Sequence, residues 1–309
     1  MLNENLLLID SPKKQKVALV TCSDYTTWYI TTDGDLYGCG EGANGQQGNG
    51  STDDVLKFTK RASNVANVVC SIDTTWYLTT SGDLYGCGRG DRGQQGNGST
   101  NDVTSFTKRA SGVSKVYCSK DTTWYITTGG DLYGCGWNSY GQQGTTPANS
   151  ADSVKSFTKR ASNVAQIIKG GESSTWYVTT SGDLYGCGYG SEGRQGSGSS
   201  DNVTQFTKRA SNVVQVAHSD LTVWYLTSSG SICGCGDGAD GKQGNGSVDD
   251  VYTFTERASN AMQIACSGNT TWYVSTNGDL YGCGYGNRGQ LGNGLNGASS
   301  YDKIFTKRN

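Results

Sequence analysis

The sequence predicts an all-β protein, a single six-bladed β-propeller built from four-stranded antiparallel blades. Three observations carry that expectation. The pair Trp-Tyr recurs six times, with tryptophans at Trp28, Trp76, Trp124, Trp176, Trp224 and Trp272, in steps of 48, 48, 52, 48 and 48 residues. A period near fifty that fills the chain marks a repeat architecture whose units are too small to bury an apolar face alone. Within each unit, short β-branched and aromatic runs alternate with glycine turns, and no segment keeps a helical period over two turns.

The second unit shows each element in order. Val65–Cys70 is a short apolar run and forms the first strand. Thr74–Thr80 follows, rich in β-branched and aromatic residues. Trp76 and Leu78 alternate with Tyr77 and Thr79, so both faces are bulky and the strand is buried between stacked sheets. Ser81-Gly82 makes a tight two-residue turn that needs positive φ. Asp33-Gly34, Gly129-Gly130, Ser181-Gly182, Ser229-Gly230 and Asn277-Gly278 repeat it. Asp83–Gly88 is the third strand, Arg89–Gly98 a loop, and Phe106–Arg109 the fourth, outer strand. Four antiparallel strands per unit, repeated about an axis, is the propeller pattern.

Residues 16–309 hold the six repeats, and 1–15 are expected to be an N-terminal arm or clasp strand. The apolar run Leu6–Asp10 is expected to pair beside Phe305–Arg308, since an unprotected edge there invites aggregation, or else to dock on a neighbouring molecule. With six copies of every strand type, the ring is expected to close using ordinary blades. All six Trp-Tyr tryptophans are then buried between sheets.

Residues 28 to 50 read Trp-Tyr-x-Thr-Thr-x-Gly-Asp-Leu-Tyr-Gly-Cys-Gly-x-Gly-x-x-Gly-Gln-Gln-Gly-Asn-Gly, and Gly289-Gln290-Leu291-Gly292 closes the sixth unit. This pattern resembles the repeat of the regulator of chromosome condensation family, in its bacterial and phage type. The resemblance covers nearly the whole chain in six copies, and implies a β-propeller that presents loop surfaces to protein partners. The sequence departs from the family in several places. Well-studied members usually have seven blades, whereas six are counted here. The family's frequent His before the second strand is Thr26, Thr74, Thr122, Ser174, Thr222 or Thr270, and its third-strand Trp is replaced by cysteine. The positions that carry sensing tryptophans in the family's plant photoreceptor are Asp24, Ile72, Lys120, Glu172, Asp220 and Gly268 here. Photoreception is not implied, and without a basic tail neither is chromatin-bound exchange activity.

Composition narrows the function. The formal net charge is −2, with 17% charged and 10% aromatic residues. That balance gives no global pull toward nucleic acid or anionic membrane. No run of eighteen apolar residues exists to make a helical span, and the N-terminus lacks the pattern of a secretory signal. The expected location is cytoplasmic, or alternatively a virion or cell surface reached without a signal peptide. Of eleven cysteines, six lie in Gly-Cys-Gly strands: Cys39, Cys87, Cys135, Cys187, Cys235 and Cys283. Cys22, Cys70, Cys118 and Cys266 share a second position, held in the other units by Lys169 or Gly170 and by His218. A position lost in two of six units cannot anchor an obligatory disulfide or metal scheme, so the thiols read as small buried groups in a reducing compartment.

His218 is the single histidine, which removes a Ser-His-Asp triad and a His-rich metal site by count. No catalytic, cofactor or metal residues are expected. The acids Asp35, Asp83, Asp131, Asp183 and Asp279 sit beside turn glycines and read as turn formers. Basic pairs such as Lys60-Arg61 and Lys108-Arg109 mark the fourth strands. They blunt an outer edge, compensated by acids such as Asp53, Asp54, Asp249 and Asp250, or form a positive rim for an anionic polymer.

Function on a repeat scaffold is expected where the repeats differ. The most variable loop runs from Glu41 to Asn44 and recurs from Arg89, Trp137, Tyr189, Asp237 and Tyr285. It supplies the expected partner-binding residues Arg89, Arg92, Trp137, Tyr140, Tyr189, Arg194, Tyr285 and Arg288, because exposed Trp, Tyr and Arg dominate binding hot spots. Loops are lengthened at Thr145–Ser153 and Leu295–Asp302. The expected function is a non-enzymatic binding module for a protein partner, as inhibitor, adaptor or scaffold. The alternative is a phage tail or bacterial surface component that binds a glycan or another virion subunit.

Overall fold

The structure, a computed structural model, describes residues 16–147, 149, 151–170, 173–219, 221–297 and 300–308, with the backbone alone at 169 and 170. The expected clasp at Leu6–Asp10 lies outside the described residues. The six units form six four-stranded antiparallel sheets, each made of four consecutive strands in sequence order. Blade 1 comprises Val17–Cys22, Thr26–Thr31, Leu36–Gly40 and Val55–Ala62. Blade 2 comprises Val65–Cys70, Thr74–Thr79, Leu84–Gly88 and Val103–Ala110. Blades 3 to 6 begin at Val113, Val164, Val213 and Ala261 and end at Ala161, Ala210, Ala258 and Lys307. First strands of neighbouring blades pack on each other near the axis, and the fourth strands are the exposed rim. The register pairs Lys169 with Thr175 as Cys70 pairs with Thr75, so Lys169 takes the cysteine position in blade 4.

The hairpin turn differs from the two-residue form that the sequence suggested. Thr31 N–H donates to the Asp35 carbonyl and Gly34 N–H to the Thr31 carbonyl, both at 2.9 Å. Gly34 alone takes positive φ, at 80°, so the turn is a three-residue loop closed by a glycine bulge.

The core lies between blades and has one recurring form. Five tryptophans are 0–3% exposed and each meets a phenylalanine from the fourth strand of the next blade. Ring centroids are 5.9 Å apart for Trp28–Phe106, 5.8 Å for Trp76–Phe157, 6.1 Å for Trp124–Phe206, 6.0 Å for Trp176–Phe254 and 5.9 Å for Trp224–Phe305. Room for the indole comes from the Gly-Cys-Gly strand, because a Cβ on Gly86 would stand 2.4 Å from the Trp76 ring. The cysteine between the glycines reaches back across the interface. Cys87 Sγ donates to the Gln46 carbonyl at 3.4 Å and Cys135 Sγ to the Gln94 carbonyl at 3.4 Å. Burying one tryptophan here removes on the order of 150–250 Å² from water, roughly 4–6 kcal/mol of transfer free energy.

The sixth interface breaks the pattern, and the expected closure of the ring is not found among the described residues. Trp272 is half-buried and meets no phenylalanine there, while Phe58, its counterpart by repeat, is 47% exposed. Val17 and Val20 of the first strand are 58% and 67% exposed, although Val65 and Val68 at the same positions are 2% exposed. Gly48 in blade 1 cups Phe106, whereas Gly292 in blade 6 faces no described atom within 4 Å. Among the described residues, the outer faces of blades 1 and 6 lack the packing that the five interior interfaces share. Five of the six tryptophans therefore meet the burial expectation and Trp272 does not.

The basic rim also differs from expectation. Lys60, Lys108, Lys159, Lys208 and Lys307 pair at 2.7–2.9 Å with Asp35, Asp83, Asp131, Asp183 and Asp279. Each lysine head is about half exposed, so solvent screens these pairs and they add little to stability. Asp54 and Asp250 instead accept the loop amides of Gly42 and Gly238. The partner arginines fold inward: burial lowers Arg109, which lies between the thiols of Cys87 and Cys135. Among the described residues, these five rim lysines are therefore neutralised by turn aspartates.

Candidate functional site

The variable loops follow the third strands and share a face with the turns between first and second strands, as the 2.9 Å bond from Arg89 N–H to the Asp73 carbonyl shows. In blades 1 to 3 a Gln-Gln pair braces the loop from within, and blades 4 and 5 keep its second glutamine as Gln195 and Gln243. Asn44, Arg92 and Tyr140 N–H groups donate to Gln46, Gln94 and Gln142 Oε1 at 2.8–2.9 Å. The second glutamine turns inward: Gln95 Nε2 donates to the Arg89 carbonyl at 3.2 Å and Gln143 Nε2 to the Cys135 carbonyl at 2.8 Å. These loops are therefore rigid mounts for the side chains that vary.

Blade 3 has the most altered loop. Its neighbours carry glycine after the first variable residue, because a Cβ on Gly90 would stand 2.0 Å from the Asn101 carbonyl oxygen. Blade 3 carries Asn138 there, and its longer loop supplies the space. Asn138 is fully buried, and its Nδ2 donates to Thr145 O, Thr145 Oγ1 and Asp152 Oδ2, all at 3.1 Å. Its Oδ1 accepts from Gln143 N–H at 2.9 Å. This network fixes Trp137 on one side of it and Tyr140 on the other.

The rings of three blades meet in one line. The Arg92 guanidinium of blade 2 lies 5.8 Å from the Trp137 ring centroid. Trp137 meets Tyr140 edge-on at 5.3 Å, and Tyr140 meets Tyr189 of blade 4 at 4.7 Å and 47°. Arg194 closes the ladder, 4.8 Å over the Tyr189 ring, and is held from behind by an ion pair with Glu192. Each ring pair is worth about 0.5–1.5 kcal/mol beyond burial, and each cation–ring contact about 0.5–2 kcal/mol. Trp137, Tyr140, Tyr189 and Arg92 remain partly open to solvent, while Arg194 is 8% exposed. Trp137 Nε1 is buried with no hydrogen-bond partner among the described residues.

Five of the eight residues singled out from sequence therefore form one surface. Arg89 does not join it; it pairs with Asp73 at 3.1 Å and Asp91 at 2.7 Å. Tyr285 and Arg288 lie in blade 6, where Arg288 is exposed and its N–H donates to Gln290 Oε1 at 2.8 Å. Sequence reasoning did not single out Asn138 or Glu192, which brace the ladder. The signal for Asn138 was present: it breaks a glycine position in the unit whose spacing lengthens to 52 residues. His218 also lies near the site. Burial pushes its pKa down to about 4, and the Arg194 charge adds to that shift.

Among the described residues, no group of three or more His, Cys, Asp or Glu side chains is placed to hold a metal ion. None of the described cysteines forms a disulfide, and burial holds the Cys87 and Cys135 thiols well above their ordinary value. Cys22 is exposed and Cys39, Cys70 and Cys266 are partly so, which corrects the reading of uniformly buried thiols. No described helix is long and apolar enough to cross a membrane.

Residues 113–142, which include Trp137 and Tyr140, match the family model described as the regulator of chromosome condensation (RCC1) repeat. Curated proteins gave no match. Among solved structures, human WBSCR16 is similar at 20% identity and TM-score 0.66, over 96% of this chain and 82% of that one. Prp20p from Saccharomyces cerevisiae is similar at 14% identity and TM-score 0.64, over 95% of this chain and 77% of that one. Yeast RCC1 (Prp20), solved with Kap60, is similar at 16% identity and TM-score 0.66, over 95% and 75%. At such identities the likeness shows the fold. The chain has an RCC1-like propeller fold, and one of its units matches the RCC1 repeat.

Proposed function

We propose that the protein is a non-enzymatic binding module that engages a protein partner through the loop face of blades 2 to 4. The observation that carries this reading is the ladder Arg92–Trp137–Tyr140–Tyr189–Arg194, assembled from three blades on braced loops. Rigid rings flanked by arginines lose little entropy on binding and supply the anchors that dominate protein interfaces. The similar folds agree in kind: Prp20p is described with its binding to Gsp1p and histones, and yeast RCC1 is bound to Kap60. A role as inhibitor, adaptor or scaffold follows from binding without chemistry.

Quantitative capture from the native source tests this, with Tyr189→Ala and Trp137→Ala as disrupting variants and Tyr285→Ala as the control. A protein partner should be lost with the ladder variants, at a cost of about 2 kcal/mol or roughly thirtyfold in Kd, and retained by the control. The same variants applied to a glycan array examine the surface-component reading. Glycan binding lost with Tyr189→Ala, without a protein partner, would replace the proposal. Equal capture by all variants would remove the ladder from the interface.

A further inference from the structure

In blades 1 to 4 and in blade 6, one row of side chains crosses the sheet near its hairpin turn, at the end opposite the variable loops. A second-strand tyrosine stacks on a third-strand tyrosine, with ring centroids 4.8–5.0 Å apart and planes 4–11° from parallel. The third-strand tyrosine pairs in register with the rim lysine, as Tyr85 does with Lys108. That lysine reaches the turn aspartate, Asp83 in this blade, at 2.8 Å. Each such row therefore ends in a flat ring and a cation held by a carboxylate of its own blade.

Blade 5 changes three members of this row together. Cys233 stands for the stacked tyrosine, Glu256 for the lysine and Ser231 for the aspartate. The register is kept, with Tyr225 opposite Cys233 and Cys233 opposite Glu256, so the row still shares one face of the sheet. Loss of the ring opens the place. Tyr225 is partly exposed, whereas Tyr77, Tyr125, Tyr177 and Tyr273 are 5–7% exposed. Val178 of blade 4, packed in the same cluster as Tyr225, is partly exposed too, although Leu78, Ile126 and Leu226 in its place are 2–7% exposed. The Tyr225 ring also tilts, to 54° from Phe254, against 63–75° for the same pair in the other blades.

Charge changes sign at the same spot. Glu256 Oε1 accepts from Ser231 Oγ at 3.1 Å, and among the described residues no lysine or arginine pairs with it. Arg257 turns to the other side of the strand, where its Nε donates to the Gln243 carbonyl at 3.0 Å. Relative to the other five blades, the place lacks a flat group and a positive charge. Arginine supplies both, since its guanidinium stacks on aromatic faces and meets carboxylates with a planar fork of donors. Lysine brings the charge alone, and tyrosine the flat group alone. We propose that the row Tyr225, Cys233 and Glu256 receives an arginine side chain of a protein partner, with the guanidinium stacked on Tyr225 and bonded to the Glu256 carboxylate. This second contact surface lies at the far end of the sheets from the aromatic ladder, and it stands whether or not the ladder binds.

Titration of the full chain with the peptide acetyl-Gly-Arg-Gly-amide tests it, read by NMR from the ring signals of tyrosine-labelled protein. The Tyr225 signals should move saturably, with a Kd of about 10 mM or tighter. The matching lysine and tyrosine peptides should bind more weakly. Glu256→Gln should weaken the arginine peptide by about three- to fivefold, the worth of a solvent-screened ion pair. Cys233→Tyr restores the residue of the five other blades, so it should fold, checked by circular dichroism, and abolish the movement. Absence of a saturable shift at Tyr225 would overturn the proposal. Equal binding of the lysine or the tyrosine peptide would do the same, as would an unchanged response in folded Cys233→Tyr protein.

Discussion

Trp76 and Trp272 occupy the same place in blades 2 and 6, within nearly the same local sequence. Trp76 is fully buried, with its ring 5.8 Å from Phe157 of the next blade. Trp272 is half-buried and meets no phenylalanine among the described residues. The loops nearby show where the difference arises. Gln94 and Gln290 each accept a loop amide at 2.8 Å, yet Gln94 is buried and Gln290 exposed. A unit therefore forms its turns and local hydrogen bonds from its own residues, and receives its burial from the neighbour. In such a quasi-one-dimensional array, stability resides largely in the interfaces.

The largest test of that contrast removes the indole at each place. Trp76→Ala should cost about 3–5 kcal/mol, the range for deleting a buried aromatic core residue. Trp272→Ala should cost less than half as much, read from the shift in denaturant midpoint. Equal losses would show that Trp272 has a neighbour as complete as Phe157.

A second pair separates backbone cost from packing cost. Gly48 and Gly292 share φ of +62°, so alanine at either incurs the same left-handed penalty of about 1–2 kcal/mol. A Cβ on Gly48 would stand 2.3 Å from the Phe106 ring, whereas on Gly292 it meets no described atom within 4 Å. Gly48→Ala should therefore exceed Gly292→Ala by about 1–3 kcal/mol, the usual cost of overpacking. Thermal unfolding of the two variants measures the difference, and matching values would mean that the interior cup can relax.

The repeat and its turn glycines were legible because each reflects interactions inside one unit or between adjacent copies. The gap between blades 1 and 6 was not, since six complete units say nothing about the angle each adds to the ring. The ladder was partly legible: Trp137, Tyr140, Tyr189, Arg92 and Arg194 stood out as unrepeated. Their convergence depends on Asn138 and on loop length, which only the fold brings together. The rim pairs were misread although the sequence held a clue. In blade 5 both members change at once, to Ser231 and Glu256, and a 3.1 Å hydrogen bond replaces the ion pair. Two positions that depart together from a repeat are in contact, and that signal precedes any structure.

The smallest contrast concerns charge. His218 lies in the first strand of blade 5, at the position Cys22 holds in the open end blade. Its pKa is pushed down to about 4 by burial, with Arg194 adding to the shift. Between about pH 4 and 6.5 the unfolded chain then binds a proton that the folded chain refuses, so stability rises with pH across that window and is complete above it. The deficit at pH 5 is about 2 kcal/mol, at roughly 1.4 kcal/mol per pH unit. His218→Cys, which restores the residue of four other blades, should flatten the denaturation midpoint between pH 5 and 7. Cys22→His should instead titrate near 6.5 by NMR and add no slope, because Cys22 is exposed. A depressed pKa at position 22 would mean that the end face is enclosed in solution by a neighbour, as the interior faces are.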